Sequence, residues 1–93
     1  MISAAMHGRL STIADLRRTG HITSHEIVAA IDAYMRNPAA GPYRFASGHS
    51  LDVAALVART INPDMLASRL GPQEKTFRIA VAGVIMAAHP TTP

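Results

Sequence analysis

The chain has 93 residues, no cysteine, no tryptophan, and nine Lys or Arg against six Asp or Glu. That length suits one domain that buries about 65% of its unfolded surface, too little for a roomy internal cavity, and without cysteine there are no disulfides and no thiolate metal sites. A net charge of +3 admits an anionic partner such as nucleic acid, but the cations are scattered along the chain, and the excess of arginine would also follow from GC-rich codon usage.

Residues 1–10 show neither the basic segment nor the continuous apolar run of a secretory signal, so the expected location is cytoplasmic. Ile2, Met6, Leu10, Ile13 and Leu16 follow a helical stripe over residues 2–18. Gly8 weakens it by about 1 kcal/mol relative to alanine, and a restart at Ser11 is expected. Thr19 and Gly20 end this helix. The next start is the clearest local signal: Thr23 can cap a helix, Glu26 can reach back to the cap's amide, and Ile22 can pack on Ile27. Helix two then runs over residues 24–36, with Ile27, Val28, Ile31, Tyr34 and Met35 inward and Asn37 and Pro38 as its stop.

Residues 37–49 read as a loop of thirteen residues, a length that is uncommon in compact domains and often functional. Ser50 is placed to cap a third helix over 51–61, with Asp52 in its first turn and Val53, Leu56, Val57 and Ile61 buried. Asn62 and Pro63 open a fourth helix over 63–70. Pro72 opens the fifth and Pro90 closes it.

Helix five is the most apolar part of the chain. Its polar residues, Gln73, Glu74, Lys75, Thr76 and Arg78, crowd the first two turns, and residues 79–88 have no polar side at all. A helix apolar all round has to be covered all round, and ten apolar residues are too few to cross a bilayer. The expected architecture is therefore an all-α, compact bundle of about five helices, a single domain over residues 1–93, with the C-terminal helix at its core or at a homodimer seam formed by residues 79–88.

Three local resemblances bear on function. Leu16, Gly20, Ile22, Thr23 and Glu26, within residues 13–36, resemble the helical hairpin of SHOCT-type modules, which implies an interaction or oligomerisation element. The same stretch is similar to a degenerate EF-hand loop over residues 15–26, but Arg17 puts a cation where a ligand oxygen belongs, so no metal is expected there. Leu66, Ala67, Leu70, Gly71 and Phe77, within residues 64–80, resemble a bacterial helix-turn-helix. That resemblance implies a DNA-binding regulator in which Gln73, Lys75 and Arg78 meet the major groove.

The chemistry-bearing residues form no constellation. His21 and His25 are four apart but straddle the Thr23 cap, and His49, Ser50 and Asp52 accompany no nucleophile turn or oxyanion loop. No enzyme activity, catalytic residue, metal or other cofactor is expected. In the long loop, Tyr43 and Phe45 flank Arg44. Either both rings cap the alanine-rich core or Tyr43, Arg44 and Phe45 anchor a partner, since Tyr and Arg are frequent in binding hot spots. The expected function is binding without catalysis, by a small regulator, adaptor or inhibitor of a protein partner, with DNA binding as the alternative.

Overall fold

The computed structural model describes residues 11–67 and 74–91, and all structural statements concern these. Helix α1 spans Ile13–Arg18, α2 Ser24–Arg36, α3 Val53–Thr60, α4 Pro63–Ala67 and α5 Glu74–Ala87. Two short strands, β1 at Tyr43–Arg44 and β2 at Ser50–Leu51, lie between α2 and α3. The chain is thus mostly helical without being purely all-α.

Both early helices begin where their side chains can satisfy orphan amides. At α1, the Thr12 hydroxyl accepts from the Asp15 N–H while the Asp15 carboxylate accepts from the Thr12 N–H, so this helix begins at Ile13, two residues after Ser11; the part of the expected stripe over residues 2–10 lies outside the described residues. At α2, Thr23 and Glu26 exchange the same pair of bonds. Between them Gly20, at φ +85°, takes the left-handed turn that a side chain would resist. The His21 and Ile22 amides both bond back to the Leu16 carbonyl, and the buried Ile22 is tucked under the hairpin.

The loop expected over residues 37–49 contains a hairpin. Tyr43 pairs with Leu51 and Arg44 with Ser50, antiparallel, and the Gly48 N–H closes the turn on the Phe45 carbonyl at 2.9 Å. Gly48 holds φ +96°, a conformation suited to a tight turn between paired strands. Ser50 is consequently a strand residue, and the α3 cap is Asp52, whose carboxylate accepts from the Ala55 N–H. Beyond α5 the chain returns to this sheet, where Ser50 and Thr91 exchange both backbone bonds.

Helix α5 packs against α1, α2 and α3. Phe77, Val81 and Ile85 on α5 are fully covered, and Phe77 stacks on Tyr34 of α2 with centroids 6.3 Å apart. The end of α5 is pinned by the Ile13 N–H, which donates to the Ala88 carbonyl at 2.9 Å. Ile27, Ala30, Ile31 and Tyr34 form the inner side of α2, but Val28 points outward and is 53% exposed. Val53, Leu56, Val57 and Ile61 are all buried.

Glu26 also reaches across to the hairpin, accepting from the Ala46 N–H at 2.8 Å. The Ala46 and Thr23 amides together hold its carboxyl below the ordinary value. A carboxylate with a lowered folded-state pKa contributes stability that is fully present above its unfolded pKa of about 4.3 and is lost as the pH falls through the folded value. Glu26→Gln should therefore melt lower than the parent protein at neutral pH. The difference should shrink on acidification below about pH 4, as followed by circular dichroism melts.

Candidate interaction surface

Burial on α5 repeats at Phe77, Val81 and Ile85, every fourth residue, which confines the covered side to one stripe of the helix. Turning away from that stripe, Ile79 is 65% exposed, and Gly83 and Ala87 are exposed as well. The expected all-round covering is therefore met on one side only, and within the single chain the opposite side lies open. With no polar residue in 79–88, that open side is continuous apolar surface.

The side of α5 facing α3 forms a trough of about 450 Å³, with Leu56 and Thr60 as one wall and Ile79, Gly83, Val84 and Ala87 along the other. A side chain built at Gly83 would meet nothing within 4 Å, so the glycine leaves a dent in the helix surface. At its far end the trough adjoins a more polar cleft where Asp52, Arg59, His89 and Thr91 gather beside Ala87 and Ala88. A separate cleft of about 80 Å³ lies between α2 and the hairpin, beside Tyr34, Pro38, Tyr43 and Val53. It is smaller than the roughly 300 Å³ at the low end of metabolite sites.

The three hairpin residues expected to anchor a partner divide. Phe45 is 2% exposed and belongs to the core, so its ring is not available as an anchor. Tyr43 is half-buried and meets Phe45 edge-on, with centroids 5.2 Å apart. Arg44 is exposed and donates to the Gly48 carbonyl at 3.1 Å, bracing the turn. What remains on the surface is the Arg44 side chain and part of the Tyr43 ring.

The residues of the DNA-binding alternative divide too. Gln73, and with it Leu70 and Gly71 of the helix-turn-helix resemblance, lies outside the described residues. Lys75 is exposed. The Arg78 guanidinium is held by Asp32 of α2 at 2.5 Å and by Glu74 at 3.2 Å, with Asp32 the stronger influence keeping its proton on. It clasps α2 to α5, and its donors toward those carboxylates are already used.

The EF-hand-like acids are likewise engaged, Asp15 with Thr12 and Arg18 and Glu26 with Thr23 and Ala46. Among the described residues no three His, Cys, Asp or Glu side chains gather where a metal ion could be held, and no helix is long and apolar enough to cross a membrane. The Ser47 hydroxyl meets His49 Nδ1 at 2.7 Å, within a turn and with no carboxylate joining them. No protein-family model, curated protein or solved structure matches the chain.

The surface that stands out is thus the outer side of α5 with Leu56 and Thr60. Its signal was present in the unbroken apolar run 79–88, but which residues would face outward depended on where α1, α2 and α3 packed. A matched pair of substitutions checks the assignment. Ile85→Ala should cost about 2–5 kcal/mol, whereas Ile79→Ala should change stability by no more than about 0.5 kcal/mol, both measured by urea unfolding.

Proposed function

We propose that this chain is a non-enzymatic binding module, a small regulator, adaptor or inhibitor that acts by occupying a surface on a protein partner through the outer side of α5. The observation that carries the reading is Ile79, 65% exposed within a helix segment that has no polar residue from 79 to 88. Contiguous apolar surface on a small protein commonly marks an interaction site. Covering an isoleucine side chain is worth about 1.5–3 kcal/mol, so a partner that seals this face gains from each residue it covers. The α5 surface is built on a helix fixed by three others, which presents it without a large ordering cost on binding.

The helix-turn-helix alternative draws less support. Reading a major groove would require Arg78 to turn away from Asp32 and Glu74, which hold its guanidinium against α2. Beyond that arginine, the outward residues Ile79, Gly83 and Ala87 offer no hydrogen-bonding group to a base edge.

The test is affinity capture from the cell that makes the protein, using the immobilised chain beside its Ile79→Glu variant, with mass spectrometry of what each retains. A specific protein should be held by the parent chain and lost from the variant, while circular dichroism shows the variant folded. The same set of proteins on both would remove α5 as the contact surface.

A further inference from the structure

We draw no further inference here: the strongest candidate, the apolar trough between α3 and α5 that runs from Ile79 to Ala88, belongs to the surface already described, and nothing in the structure shows what covers it.

Discussion

The covered side of α5 is the constraint on which the rest of the molecule depends. Phe77, Val81 and Ile85 have no solvent contact, and the helices that α5 packs against are α1, α2 and α3, all of them distant from α5 in the chain. Two of those three helices are short. At six residues for α1 and eight for α3, they are well below the length at which an isolated helix holds together in water. They exist because α5 gives their apolar sides somewhere to go, and because Thr12, Thr23 and Asp52 satisfy amides at their starts. The Arg78 clasp and the Tyr34–Phe77 stack then fix how α2 lies on α5.

Once α5 is committed on one side, its other side becomes the distinctive surface of the protein. Helices that cover a core usually show solvent a polar face. Here the same run of alanine, valine, isoleucine and glycine that lets neighbours pack closely also continues around the helix. The polar part of α5 is confined to its beginning, where Arg78 is held by Asp32 of α2 and by Glu74 of α5 itself, and where Lys75 and Thr76 are exposed. Stability and binding therefore draw on one helix, divided lengthwise: Ile85 serves the first and Ile79 the second.

Much of this was legible in the sequence where a local signal decided the outcome. The Thr23 and Glu26 exchange, the stop at Asn37 and the buried set on α3 all follow from short-range chemistry, and the helix bounds Ser24–Arg36 were readable to the residue. What was not legible depended on distant parts of the chain. Ser50 and Asp52 are both good caps, and Asp52 prevailed because Ser50 is engaged by Arg44 on one side and Thr91 on the other. Val28 fits an apolar stripe as well as Ile27, yet the position of α5 left it outside. Phe45 went inward while Arg44 stayed out because strand pairing alternates their sides, and that pairing was hidden in a segment whose glycines and prolines read as loop.

The backbone bonds from Ile13 to Ala88 and from Ser50 to Thr91 bear on how the molecule is made. Each joins a residue that precedes α5 to the segment just after it, so neither can form until α5 has left the ribosome. Until then the apolar sides of α1, α2 and α3 lack their common partner, and loop closure across most of the polypeptide has to precede the contacts that reward it. The core of the described residues is thus closed only when α5 docks against α1, α2 and α3.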